Sequence, residues 1–377
     1  MRFLASSMLG LAAFAGAAAL ADGRQMPAVQ PLEQLPGTVL PAPVPPSSTW
    51  WSVPLPAAPA AAPVIAGERV YVAHLPGIVV AHDLSQGREA WRVQLLPEQP
   101  IAADGEFVFV GSGEAVHALS ASTGSAAWRR PVGTLTAPLL AKDGWLIAAT
   151  AQRLSALRAA DGTPVWTHAS GTQQERAAIS GDTLFVPLAD GHIEARDLTT
   201  GQPKWRRRIG GAPGEPLVAA DRLYVGAGDR VLYCLDALSG EIRWRYRVGA
   251  TVRGRPTTDG RNIYFAALDN VIRALDLRRG WLRWKAGLPF RPLGEPIAAG
   301  ASVIVAGREN DIRVLAAETG ATLTTLPFEQ KLAIAPAVAA LADRVVVAAV
   351  TGGLEESWRL AVAGLPLRPA PIGPAPR

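Results

Sequence analysis

Short apolar runs bounded by glycine, proline or aspartate recur along almost the whole chain. In one stretch Arg222-Leu223-Tyr224-Val225 ends at a turn, Val231 to Asp236 returns, and Ser239-Gly240 leads into a third run from Ile242 to Val248. Runs this short, rich in β-branched, leucine and aromatic residues and separated by turn formers, predict β-strands joined as hairpins. Within the third run polar and aromatic residues alternate through Arg243, Trp244, Arg245, Tyr246 and Arg247. A period of two puts the arginines on one face of the strand and the aromatics on the other. A further short run precedes each group and opens near a proline: Pro63, Pro100, Pro138, Pro216, Pro256, Pro296 and Pro336, with Ala177 in the fourth copy. Each unit thus predicts four strands.

The units repeat. The motif small-Leu-Asp-x-x-x-Gly-x-x-x-Trp is fullest as Cys234-Leu235-Asp236 with Gly240 and Trp244, and as Ala274-Leu275-Asp276 with Gly280 and Trp284. Its glycines fall 37 to 40 residues apart, at Gly87, Gly124, Gly162, Gly201, Gly240, Gly280 and Gly320. Six of the seven are followed four residues later by tryptophan (Trp91, Trp128, Trp166, Trp205, Trp244 and Trp284), whereas the seventh has Thr324. A period of this length marks a repeat architecture, in which several hundred residues form one closed body. The aspartate can accept backbone N–H bonds in its own turn, the glycine supplies a positive φ, and the tryptophan is large enough to fill the space between neighbouring sheets.

Eight openings meet only seven closing turns. The eighth copy runs through Val345-Val346-Val347 and from Trp358 to Val362, then enters a proline-rich stretch without a Gly…Trp unit. At the other end Trp51-Ser52-Val53 stands 40 residues before Trp91, one period upstream, with no repeat of its own. We read it as the missing outer strand, whose pairing with the last sheet hides two otherwise unpaired edges. The expectation is an all-β protein: an eight-bladed β-propeller of four-stranded antiparallel blades over residues 49–365, closed by the N-terminal strand.

The chain ends read differently. Arg2, the apolar stretch from Leu9 to Leu20 and Ala19-Leu20-Ala21 before Asp22 have the three parts of a secretory signal, so residues 1–21 are expected to be cleaved. That run is shorter than the roughly 20 residues of a membrane span, and no later segment combines such length with helical character. No cysteine follows it for lipid attachment. A periplasmic protein without a transmembrane span, monomeric on its own, is expected. Residues 22–48 form a proline-rich extended leader and residues 366–377 a proline-rich tail.

With 49% hydrophobic and 18% charged residues, the chain can bury a large core. Its formal net charge of +5 is mild, but residues 201–300 hold 18 Lys and Arg against nine Asp and Glu. In that stretch Arg206 and Arg208 alternate with Trp205 and Arg207, as Arg243, Arg245 and Arg247 do with Trp244 and Tyr246, and Arg253 and Arg255 follow in the next loop. These seven arginines are the candidate partner-binding residues, expected as a contiguous basic patch on adjacent blades. Two readings attach to the patch: solvated outer-strand charge, or a docking surface for an acidic partner or anionic lipid headgroups. Nucleic acid is not expected of an exported chain without aromatic and basic residues interleaved on one groove-like face.

Little else carries chemistry. The single cysteine, Cys234, excludes an intramolecular disulfide, a CxxCH haem attachment and a cysteine-rich metal site. It occupies the small-residue column of the repeat with Ala81, Ala118, Ala156, Ala195 and Ala274, and so reads as a buried structural thiol. The five histidines form no HxH or HxxxH pair. His82 and Arg196 replace the motif leucine, where a polar group needs a partner or access to water. Asp83, Asp197, Asp236 and Asp276 recur at turn positions a full blade apart, which fits turn caps rather than acid–base pairs. Gly111-Ser112-Gly113 and Gly226-Ala227-Gly228 occupy the same hairpin of their repeats and read as turns, and no GxSxG motif is present. No catalytic residue, cofactor or metal site is expected.

From Ala81 to Trp284 the Ala-x-Asp-x-x-x-Gly-x-x-x-Trp pattern resembles the PQQ-like β-propeller repeat family, named after quinoprotein dehydrogenases, and the likeness extends over about residues 50 to 365. In length and domain content the chain is similar to that family's periplasmic eight-bladed component of the machinery that inserts β-barrel proteins into the bacterial outer membrane. The resemblance implies a non-enzymatic envelope scaffold whose partners are proteins, with that assembly machinery among them. The alternative it leaves open is an enzyme or sensor that binds PQQ or another small molecule in the central channel. The family's dehydrogenases hold the quinone against a vicinal disulfide beside calcium, and Cys234 has no cysteine neighbour for such a clamp.

Overall fold

The computed structural model describes residues 51–252, 254–307, 311–327, 337–340, 344–353 and 356–366. The expected signal segment 1–21, the leader 22–48, Arg253, Pro336 and all but the first residue of the tail lie outside them. The described chain is all strand and turn, arranged as eight four-stranded antiparallel sheets, the blades of an eight-bladed propeller. Blade 5 shows the pattern: Leu217–Ala219, Arg222–Gly226, Val231–Asp236 and Ile242–Arg247 follow one another in both sequence and space. First strands of neighbouring blades pack on one another, that of blade 8 (Ala337–Ala340) meeting that of blade 1 (Val64–Ala66). They line the central channel, and the fourth strands form the outer wall.

Blade 8 is built from both ends of the described chain. Trp51–Pro54 pairs antiparallel with Glu356–Pro366, with Trp51 opposite Val362 and Val53 opposite Leu360. Arg359 donates from Nε to the Ser52 hydroxyl at 2.9 Å, and the Leu55 amide donates to the Trp358 carbonyl at 2.8 Å. The expected closure strand is therefore in place.

The core lies between blades. Each of the eight junctions holds one apolar cluster. Between blades 5 and 6, for example, Tyr224, Leu232 and Cys234 meet Ile263, Phe265 and Leu275. The motif tryptophans fasten these junctions in a way the linear motif hides. The indole of one blade lies on the turn glycine of the next: Trp205 on Gly240, Trp244 on Gly280, and Trp51 of blade 8 on Gly87 of blade 1. Each indole Nε1 also donates to a carbonyl of that next turn, as in Trp166 to Leu198 at 2.8 Å, Trp205 to Ala237 at 3.0 Å and Trp51 to Leu84 at 2.9 Å. A buried indole brings a large apolar area, and the bond satisfies its polar N–H.

The small-residue column has a matching cause. Within a blade the small residue sits directly across from the tryptophan, as Ala81 from Trp91, Ala195 from Trp205 and Cys234 from Trp244, and a bulge follows it each time. Blade 7 changes both partners together: Thr324 replaces the tryptophan and the larger Val314 faces it. The larger Val314 makes up part of the volume that the missing indole leaves, and packed interiors tolerate best the changes that limit lost volume.

Candidate functional site

The structure divides the predicted basic patch. On the outer strand of blade 5, Arg243, Arg245 and Arg247 are exposed while Trp244 and Tyr246 are half-buried, as the alternation predicts. Arg206 and Arg208 are exposed on the outer strand of blade 4, Pro203–Arg208. Arg207 is exposed as well, but its Nε donates to the Gly240 carbonyl of blade 5 at 2.8 Å. Two of the outer arginines are neutralised locally: Arg243 pairs with Asp236 at 2.7 Å and with Glu241 at 3.5 Å, and Arg206 pairs with Asp190 at 2.6 Å. Among the described residues Arg208, Arg245 and Arg247 have no carboxylate within ion-pair distance, so the uncompensated charge of the wall centres on them. Arg253 is outside the described residues. Arg255 belongs elsewhere, because it lies two residues before the innermost strand of blade 6, Thr257–Thr258, at the channel rather than on the outer wall. Among the described residues, five of the seven arginines thus share the outer strands of blades 4 and 5, and Arg255 does not.

The residues that break the leucine column are held structurally. His82 is buried, with Nδ1 at 3.1 Å from the Gly87 carbonyl, and burial lowers its pKa. Arg196 is 6% exposed and Glu194 8%. The Arg196 guanidinium reaches the Glu194 carboxylate at 3.0 Å and the carbonyls of Gly201 at 3.1 Å and Ala169 at 3.2 Å. A buried arginine that pairs its charge and fills its other donors is satisfied in place. The motif aspartates cap their turns: Asp236 accepts from the Leu238 and Ser239 amides at 3.1 and 2.9 Å, and Asp197 from those of Thr199 and Thr200 at 3.1 and 2.9 Å. Hydrogen bonding holds both carboxyls at about 2, led for Asp236 by Arg243 and for Asp197 by the Thr199 side chain. The Cys234 thiol is fully buried and pushed up to about 11 by that burial.

A second charged cluster emerges at the channel. The residue just before each opening proline, or before Ala177, is charged in four consecutive blades with alternating sign: Arg176, Glu215, Arg255 and Glu295. The other four copies carry Ala62, Gln99, Ala137 and Ala335. Arg176 and Glu215 approach to 3.7 Å. Burial raises the pKa of Glu215, against the opposing pull of Arg176 and Arg255. Burial and the charge of Glu215 raise that of Glu295, again against the two arginines. Glu295 is nonetheless open to solvent. An exposed carboxyl with protein close around it fits the mouth of a narrow channel. The alternation is written in the sequence, one charge per repeat, but it shows only when the residue before each proline is read across blades instead of along the chain.

This cluster lies where fourth strands connect to first strands, at the end that also carries the hairpins between second and third strands. Two clefts open there. One, of about 480 Å³, is lined by Gly254, Ala266, Leu268, Arg291, Leu293 and Gly294. The other, of about 250 Å³, lies among Gln174, Leu188, Pro213 and Val252. Among the described residues no cluster of His, Cys, Asp and Glu is arranged to hold a metal ion, and no helix is long and apolar enough to cross a membrane.

Comparison with solved structures shows how widely the fold is shared. BamB from Moraxella catarrhalis superposes with a TM-score of 0.67 at 21% identity, over 84% of this chain and 99% of that one. The computationally designed Ika8 protein gives 0.67 at 14% identity, over 81% and 98%. Quinohemoprotein alcohol dehydrogenase from Comamonas testosteroni gives 0.67 at 14% identity, over 84% and 76%. At such identities the likeness is one of fold. The comparison with curated proteins gives no match. The family model described as "Outer membrane protein assembly factor BamB" matches residues 75–216 and 209–352, most of the ring, and the chain therefore belongs to that family of PQQ-like propellers.

Proposed function

We propose that this protein is a non-enzymatic scaffold of the bacterial envelope, exported to the periplasm, that binds protein partners during assembly of outer-membrane β-barrel proteins. The observation that carries this reading is the family match across two long stretches of the ring. The geometry agrees with it. Loops of blades 4 to 7 gather two clefts beside a channel mouth of alternating arginine and glutamate, so a partner chain meets apolar recesses and both signs of charge on one surface. Complementary charge of this kind sets partner choice and orientation more than raw affinity.

The second reading, a small molecule such as PQQ in the channel, has the same charged mouth in its favour. The residues present do not fit the quinoprotein arrangement: the one thiol, Cys234, is buried between blades 5 and 6 and has no cysteine beside it. Affinity capture from envelope extract separates the two. A component of the β-barrel assembly machinery should co-purify, and the captured protein should begin at Asp22. An absorbance titration with PQQ should show no saturable change; a saturable one without partner capture would overturn the scaffold reading.

A further inference from the structure

Five of the eight large hydrophobic side chains exposed among the described residues cluster in three neighbouring blades, at or just after the turn between third and fourth strands: Leu238, Ile242, Trp281, Leu282 and Leu323. Leu238 is 86% exposed and Trp281 62%. The repeat itself supplies the control for what this turn needs. Where blade 5 has Leu238, blades 1 and 4 have Ser85 and Thr199; where blade 6 has Trp281 after its turn glycine, blades 2, 3 and 4 have Ser125, Thr163 and Gln202. The fold is satisfied by small or polar residues there, so Leu238 and Trp281 serve something other than folding. Exposed apolar groups gathered in one place mark an interaction surface.

The two turns are neighbours around the ring. Trp244 of blade 5 donates from Nε1 to the Arg278 carbonyl of the blade 6 turn at 3.1 Å, and its ring lies under Gly280, the residue before Trp281. The charge around them is mixed, with arginine in slight excess: Glu241 of the blade 5 turn is exposed and lies 3.5 Å from Arg243. Asp236 and Asp276 are turned inward, capping their own turns and pairing with Arg243 at 2.7 Å and Arg283 at 2.5 Å. Among the described residues Arg278 and Arg279 have no carboxylate within ion-pair distance, and the Arg279 guanidinium stands 4.9 Å from the centroid of the Trp281 ring. The two clefts open at the opposite end of the blades, so these side chains project from turns and do not line a pocket.

We propose that the third-to-fourth-strand turns of blades 5 and 6 dock on the surface of an anionic lipid bilayer, with Leu238 and Trp281 entering the interfacial layer and Arg278 and Arg279 meeting lipid phosphates. Tryptophan is the side chain that favours the water–lipid boundary, and basic groups near an anionic leaflet are attracted to it over about one Debye length. Protruding apolar tips flanked by the exposed Arg278 and Arg279 fit a flat, soft, negative surface; a protein hot spot is usually a pocket or its filling. This inference uses neither the clefts nor the channel mouth to which the scaffold reading assigns partner binding, so each can fail while the other stands.

The test is flotation of the protein purified from the envelope with vesicles of phosphatidylcholine, alone or containing about one third phosphatidylglycerol. Partitioning should be at least tenfold stronger on the anionic vesicles and should weaken as salt rises. The Leu238→Ser/Trp281→Ser variant should lose about tenfold at every salt concentration. The Arg278→Glu/Arg279→Glu variant should lose as much at low salt and little at high salt. Because all four side chains are on the surface, melting curves should be unchanged. Brominated acyl chains should quench part of the tryptophan emission in the wild type, and Trp281→Phe should abolish that part. Equal partitioning of wild type and both variants, or quenching unaffected by Trp281→Phe, would overturn the proposal and leave a protein as the occupant of these turns.

Discussion

Gly240 meets two demands at once. Its φ of +69° lies in the left-handed region, and a Cβ there would come within 2.6 Å of the Trp205 ring of the preceding blade. The first demand costs an L-residue about 1–2 kcal/mol, and forcing extra volume against a packed ring adds about 1–3 kcal/mol. Gly240→Ala should therefore destabilise the protein by about 2–5 kcal/mol. Gly113 is the control, with a φ of +57° and nothing within 4 Å of its absent Cβ, and Gly113→Ala should lose only the conformational part, about 1–2 kcal/mol. Chemical denaturation of the two variants measures the difference, and equal losses would mean that the indole contact contributes nothing. The need for a turn glycine was legible in the sequence, because few other residues tolerate that conformation. Its contact was not: each glycine packs on a tryptophan 33 to 36 residues upstream, while the motif draws the eye to the one four residues downstream.

Ring closure belongs to the scale of elements. The four residues Trp51–Pro54 supply the outer strand of blade 8, and Trp51 repeats on blade 1 the indole-to-turn contact made elsewhere around the ring. Without this strand the inner chain of the pair, Glu356–Pro366, presents an open edge, which invites pairing with other molecules. Deleting residues 22–48 should leave the melting temperature nearly unchanged, whereas extending the deletion through Val53 should expose that edge and cause aggregation, seen by light scattering on heating. Indistinguishable truncations would show that closure does not depend on the strand. This element was readable because the repeat count left one vacancy and the tryptophan spacing named its occupant. The loss of the tryptophan in blade 7 was equally visible, but its compensation was not. Only the cross-strand register, with Val314 opposite Thr324, shows that two substitutions form one packing unit.

Across the whole molecule, charge is sorted by radius, and a linear count of arginines cannot see radius. Arg255 and Arg245 are ten residues apart in the sequence, yet one precedes an innermost strand and the other sits on the outer wall. The alternating cluster at the channel mouth holds none of the surplus of residues 201–300, since there Arg255 stands with Glu215 and Glu295; among the described residues the uncompensated arginines include Arg208, Arg245 and Arg247 on the wall and Arg278 and Arg279 in the blade 6 turn. That division decides how a docking role for the wall is to be tested. Reversing Arg243 would set a carboxylate beside Asp236, whose own carboxyl the Arg243 bond helps hold at about 2, and so would disturb the turn that Asp236 caps. Arg243→Glu should lower the melting temperature. Arg245→Glu/Arg247→Glu should leave it unchanged, because among the described residues neither side chain pairs with an acid, and both are exposed. If the wall steers an acidic protein partner, the double variant should slow association about 3- to 10-fold at low salt, since charges at the rim of an interface act mainly on the association rate. The gap should close as salt screens charges beyond about 8 Å. Association rates at two ionic strengths, beside melting curves for both variants, separate a docking surface from a solvated one. Identical rates for wild type and the double variant would assign these arginines to solvation and move the partner site to the clefts beside the channel mouth.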